Sequence, residues 1–137
     1  MAVHQKALTL RTTAKEQILD ITREVEAFVR ESGTVTGLCA IYTPHATAAV
    51  TINENADPNV GTDFLRALAR AVPEHEGWLH DRIDDNAAAH IKSALVGPSE
   101  TIPGRDGKLA LGTWQNIFFC EFDGPRGARR VIVSVVA

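Results

Sequence analysis

The stretch Tyr42-Thr43-Pro44-His45-Ala46-Thr47-Ala48-Ala49-Val50-Thr51-Ile52-Asn53-Glu54-Asn55-Ala56-Asp57-Pro58 holds a strand, a helix start and much of the chain's polar chemistry. Ala48, Val50 and Ile52 share one face at period two and Thr47, Ala49 and Thr51 the other. That pattern predicts a half-buried strand carrying a polar row. Pro44 restricts the backbone around it to extended or turning conformations, which places His45 at a strand edge. Asn53, Glu54 and Asn55 close the strand. Asp57 then supplies a capping acceptor and Pro58 a residue whose missing N–H costs nothing in the first helical turn. Val60, Phe64, Leu65, Leu68 and Val72 give that helix its buried face, and Pro73 stops it.

Outward from this stretch, the chain alternates strands and helices. Val3 to Leu10 reads as a strand. Thr13-Ala14-Lys15-Glu16 has capping-box spacing, and Ile18, Ile21, Val25 and Phe28 recur at helical period up to Ser32-Gly33, predicting an amphipathic helix. Thr36 to Tyr42 is an apolar strand. Its short connection at Thr43-Pro44 makes it the expected neighbour of the strand that follows. Glu74 to Asp85 has no sustained period and holds two of the five histidines. Asp84 or Asp85 can cap a third helix running to about Leu95 and ended by Gly97-Pro98. Asn86, His90 and Ser93 form a polar stripe on it. Ser99–Ile102, Lys108–Leu111, Asn116–Asp123 and Ala128–Val136 read as strands, the last two joined by a loop of hairpin length at 124–127. The final strand is apolar on both faces, as expected of a central strand or one covered by another subunit. The whole predicts an α+β fold: one compact domain over residues 1–137, with a largely antiparallel sheet and three helices packed on one side.

A chain of 137 residues is long enough to bury an ordinary core without staples. Cys39 and Cys120 lie inside apolar runs, as buried free thiols of a reducing compartment do. A net charge of −3 and the lack of a Lys/Arg run argue against a nucleic-acid surface. No apolar stretch approaches the length of a membrane span and no signal-peptide pattern opens the chain, so the expectation is a soluble cytoplasmic protein.

Several residues could carry chemistry. Imidazole is the commonest transition-metal ligand, and three with an open fourth position make a catalytic zinc site. His45, His80 and His90 are the candidates, with Asp81, Asp84 and Asp85 able to orient their ring N–H groups. Their spacing matches no standard zinc pattern, and each histidine taken singly reads more readily as an ordinary surface or core residue than as a ligand, as His4 and His75 are read to be. Glu54 is either a general base or a strand-end carboxylate bonded to local amides. Lys92, Arg66 and Arg126 can bind phosphate or simply face water. Trp114 is a core plug or a flat wall for a ring-shaped ligand, and Gln115 offers an amide that reads a donor and an acceptor together.

Pro44-His45-Ala46-Thr47-Ala48, Asn53-Glu54-Asn55-Ala56-Asp57-Pro58, His80-Asp81, Asp85-Asn86, His90-Ile91-Lys92-Ser93, Gly112-Thr113-Trp114-Gln115 and Glu121-Phe122-Asp123-Gly124-Pro125-Arg126 together resemble the YjbQ-like proteins, called secondary thiamine-phosphate synthase enzymes. The resemblance covers nearly the whole chain. It implies a compact α+β fold, a homotrimer and a histidine-lined site at or near a subunit boundary. It also implies a transferase that joins a hydroxymethylpyrimidine diphosphate to a thiazole phosphate, releasing pyrophosphate and forming thiamine phosphate as a secondary activity. Carried onto this chain, His45, His80 and His90 would hold a divalent metal, zinc or magnesium. Lys92 and Arg126 would meet phosphate, Trp114 the pyrimidine ring, and Glu54, Asp85 and Gln115 would act in catalysis. Two other readings of these residues remain: a metal-dependent hydrolase or lyase on a phosphorylated or heterocyclic metabolite, and a non-catalytic trimer that binds a small molecule.

Overall fold

The computed structural model describes residues 1–137, and its strands pair in two separate antiparallel sheets. In chain order the elements are β1 (Val3–Leu10), β2 (Gln17–Asp20), α1 (Thr22–Ser32), β3 (Gly37–Tyr42), β4 (Ala48–Asn53) and α2 (Asn59–Ala71). A single 3₁₀ turn at Leu79–Arg82 leads to α3 (Ala87–Val96), followed by β5 (Ser99–Arg105), β6 (Lys108–Leu109), β7 (Asn116–Glu121) and β8 (Arg129–Val136). The larger sheet runs β1-β8-β3-β5-β6 and the smaller β2-β7-β4. No helix is long and apolar enough to cross a membrane.

The sheets face each other across the main core. Cys39, Ile41, Val131, Val133 and Val135 of the larger sheet meet Val50, Ile117 and Phe119 of the smaller, and α1 adds Val25, Phe28 and Val29. β7 is apolar from Ile117 to Cys120 because both its faces are covered. Phe118 and Cys120 on its far face, with Ala49 and Phe122, form a second cluster against Ala89 of α3 and Phe64, Leu65 and Leu68 of α2. All three helices thus lie on one side of the larger sheet, as the α+β reading predicts. The sheet's other face carries no helix, and Leu38, Tyr42 and Val3 are exposed on it. At Gly37 the chain passes so close to the Val136 carbonyl that no Cβ would fit.

Four local expectations fail, each for a tertiary reason. Thr13–Glu16 does not start a helix. Gln17–Asp20 instead supplies an edge strand to β7, Thr13 bonds Gln17, and α1 starts at Thr22, whose N–H donates to Asp20 Oδ1 at 3.0 Å. β3 and β4 are not neighbours, since Thr43–Thr47 carries the chain from one sheet to the other. β7 and β8 form no hairpin for the same reason. α3 is capped neither by Asp84 nor by Asp85 but by Asp81, whose Oδ1 accepts from Ala87 N–H at 2.9 Å. The Asp57-Pro58 start does hold, with Asp57 Oδ1 accepting from Asn59 N–H at 2.9 Å.

Candidate functional site

Polar side chains concentrate where β7 ends, β8 begins and α3 starts. Beneath them lies a buried ion pair. Glu121 is fully buried and Arg129 nearly so. Arg129 Nε donates to both Glu121 oxygens at 2.9 and 3.1 Å, and its Nη2 also reaches Thr47 Oγ1 at 2.8 Å. Thr12 Oγ1 donates to Glu121 at 2.7 Å and accepts from the Arg126 N–H at 2.8 Å. Burial pushes the Glu121 carboxyl up, but hydrogen bonds from Arg129, Thr12 and the Asp123 N–H, with the Arg129 charge, outweigh it and hold the group below its ordinary value. Charge and donors are balanced there, which fixes the loop above.

On this base stands a relay. Arg126 Nη2 and Nε donate to Asp123 Oδ2 and its carbonyl, both at 2.9 Å, and Asn86 Nδ2 donates to the same Oδ2 at 2.8 Å. The half-exposed Arg126 keeps further N–H donors for a ligand. His45 belongs to this corner too. Its Nε2 accepts from the Arg130 N–H at 3.0 Å, so the neutral ring carries its proton on Nδ1 and presents a donor. Burial, then the positive charge of Arg129, lowers its pKa, with Arg126 and Arg130 acting the same way.

His80 and His90 meet edge to face with ring centroids 4.7 Å apart. The His80 Nε2 is shielded from solvent without a hydrogen-bond partner, and so is Asn86 Oδ1. Asp84 Oδ2 stands 3.6 Å from that nitrogen, beyond hydrogen-bond reach. Orphaned buried polar atoms in a native fold call for a ligand, ion or water. The polar stripe of α3 lies against this corner, with Ser93 Oγ donating to the Ala48 carbonyl. No group of three or more His, Cys, Asp and Glu side chains in the chain is placed to hold a metal. His45, its Nε2 committed to Arg130, offers no free lone pair to one. The three-imidazole centre expected from the sequence is therefore not assembled within a single chain.

The other expected residues lie elsewhere. Lys92, two residues from His90, sits on the far side of α3, buried, with Nζ 2.9 Å from Glu16 Oε2. Asp85 bonds His75 at 2.9 Å, a pair of exposed side chains. Glu54 accepts from the Asp57 N–H at 3.2 Å, as a strand-end carboxylate does. Trp114 is 63% exposed, so it is no core plug. Gln115 turns its Oε1 onto the Gly112 N–H at 2.8 Å, leaving its amide nitrogen free. It also lines a groove of about 460 Å³ with Glu26, Arg30 and Lys108. Because β4 and β7 are antiparallel, with Asn53 opposite Asn116 and Ala48 opposite Glu121, Glu54, Trp114 and Gln115 share the end of the smaller sheet opposite the His45 corner. The length of β7 puts roughly 20 Å between them.

Thr12, Thr47, Asn86, Glu121, Asp123 and Arg129 were not among the sequence candidates. One signal was available: a carboxylate inside Phe118-Phe119-Cys120-Glu121-Phe122 demands a buried cation, since a charge is almost never left unpaired in a core.

Two facing antiparallel sheets with helices on one side, and an Arg- and His-rich corner where the chain changes sheets, make this an α+β protein with one polar corner. Residues 6–137 match the family model described as UPF0047 protein YjbQ-like, and the chain belongs to that family. It is 52% identical over 122 residues to the UPF0047 protein YugU of Bacillus subtilis, covering 88% of this chain and 91% of the relative. It is 48% identical over 127 residues to a UPF0047 protein of Methanocaldococcus jannaschii, covering 93% and 90%. Among solved structures, a YbjQ-like protein of unknown function from Sulfolobus solfataricus superposes with a TM-score of 0.95 at 37% identity, over 98% of this chain and 96% of that one. An uncharacterised family protein from Clostridium acetobutylicum gives 0.91 at 44% identity, over 96% and 99%.

Proposed function

We propose that the chain is a cytoplasmic, homotrimeric transferase acting on a small phosphorylated metabolite at the His45–Arg126–His90 corner. The reaction proposed is the one its family resemblance implies, formation of thiamine phosphate with release of pyrophosphate. The observation that carries the reading is the Arg126–Asp123–Asn86 relay, flanked by a donor nitrogen on His45 and by the His80–His90 pair. Departing pyrophosphate develops negative charge, and pre-set donors are what stabilise it. Arg126 and His45 supply those donors, whereas Trp114, roughly 20 Å away at the other end of the smaller sheet, is left out of the ring contact as the chain stands. Lys92, spent on Glu16, is left out of the phosphate contact.

The test is thiamine phosphate formation by wild type and by His45→Ala and Arg126→Ala. Loss of one such donor lowers turnover by about a hundredfold or more; unchanged rates in both variants end the transferase reading. A metal-dependent hydrolase or lyase is the second reading, favoured by the unpartnered His80 Nε2 beside Asp84. Elemental analysis of untagged protein decides it, with stoichiometric zinc or magnesium expected and none counting against it. Ligand binding without turnover would leave the non-catalytic trimer.

A further inference from the structure

We infer that the groove between α1 and the chain from Asp106 to Asn116 is a second small-molecule site, whose ligand is a short linear amine ending in a carboxylate. It stands apart from the His45 corner, which lies at the other end of β7. The chain from 107 to 117 runs back along α1 and is hydrogen-bonded at both ends of that run. Gly107 N–H donates to the Val35 carbonyl at 3.0 Å, just beyond the end of the helix. Ile117 N–H donates to Thr22 Oγ1 at 2.8 Å, at the helix's first residue. Between these fastenings lies the cavity of about 460 Å³, a volume suited to a metabolite, over a floor of Val29, Leu109 and Leu111.

Four charged side chains line the cavity, and none has a charged partner. Glu26 stands four residues before Arg30 on one face of α1, the spacing and order that favour a helix ion pair. Yet neither of them, nor Asp106 or Lys108 of the β5–β6 hairpin, pairs with any charged group in the chain. Gln115 and Asn116 add donors: their amide oxygens are taken by the Gly112 and Asn55 N–H groups at 2.8 and 3.0 Å, so N–H is what remains for a ligand. Charge is segregated along the helix. Glu26 lies about 6 Å of helix rise before Arg30, and an adjoining cleft carries the groove past it to Asp20 and Glu24, against Arg23 alone. The positive pole of α1, about half a charge, is outweighed by those acids, so an amine is favoured there. At the hairpin end Arg30 and Lys108, less Asp106, leave one net positive charge. That balances a single carboxylate, held by the guanidinium fork, and falls short of a dianionic phosphate. The methylenes between the two ends cover the apolar floor.

The probe is ε-aminocaproate, with caproate and hexylamine as its two halves and aminobutyl phosphate as its dianionic counterpart. Calorimetry on wild type is expected to show it binding about tenfold or more tighter than either half, the worth of one charge-assisted contact. Arg30→Gln should reduce its affinity to that of hexylamine and Glu26→Gln to that of caproate, with urea midpoints unmoved because neither side chain is paired or buried. Amide shifts on binding should fall on Gly107, Gly112 and the Gln115 side chain. The inference is overturned by a probe that binds no tighter than its halves, by either variant binding it as wild type does, or by shifts that gather at Arg126 and Asn86 instead. Tighter binding of aminobutyl phosphate than of the carboxylate would overturn the ligand class.

Discussion

Arg129 carries more of the corner than any residue that faces a ligand. It neutralises Glu121, reaches Thr47, and through Glu121 and Thr12 fixes the backbone of Arg126. Removing one member of a buried pair strands the other charge, so Arg129→Met should cost about 3–5 kcal/mol in urea unfolding. Arg129→Met with Glu121→Leu should recover most of that, and a double variant no better than the single would deny the pairing its weight. At this scale the sequence was partly legible. His80, His90 and Arg126 were named from residue type, and the fold brings the first two rings edge to face. His45 was read as a metal ligand, and nothing in its neighbours in sequence shows that an amide 85 residues on will donate to its Nε2. Glu121–Arg129 was missed because the two belong to different sheets, eight residues apart across a loop whose path no local pattern encodes.

Elements were read well where pattern and packing agree and badly where a distant partner intervened. α2 and α3, β1, β5 and β8 fall close to their expected spans. The capping-box spacing at Thr13 lost to the pairing of Gln17–Asp20 with β7, since a weak local preference yields to a strand with a free edge to fill. The segment at Gly124 shows what the sheet change requires. A side chain there would collide with the Ala14 carbonyl, Glu121 and Thr12. Gly124→Ala should therefore destabilise the fold by about 1–3 kcal/mol through displacement of backbone. It should also weaken substrate capture by shifting Arg126. A Gly124→Ala protein with wild-type unfolding midpoint would show that the loop gives way instead.

For the molecule as a whole, the resolved pKa shifts of its buried acid and its corner histidine point the same way. His45 titrates below the ordinary histidine value of 6.5 in the fold. The unfolded chain thus takes up that proton first, and stability present above pH 6.5 is lost as pH falls. Glu121 lies below its ordinary 4.5, so a second loss follows as pH drops beneath that. Urea midpoints against pH should show both steps in wild type and only the lower one in His45→Gln; superimposable profiles would refute the assignment to His45. The α+β class, the antiparallel pairing and the single-sided helices were legible in the chain. The split into two sheets was not, because period-two patterning says which face is buried and nothing about which strand lies alongside.

That split has a further consequence for how the chain acquires its shape. Only β5 pairs with its immediate successor in sequence, β6; β1 waits for β8, β2 for β7 and β4 for β7, the longest of these pairings joining Val3 to Val136. High contact order of this kind postpones reward until long loops have closed. Neither half of the polypeptide owns a finished layer, and the ribosome must release nearly all of it before either layer can form.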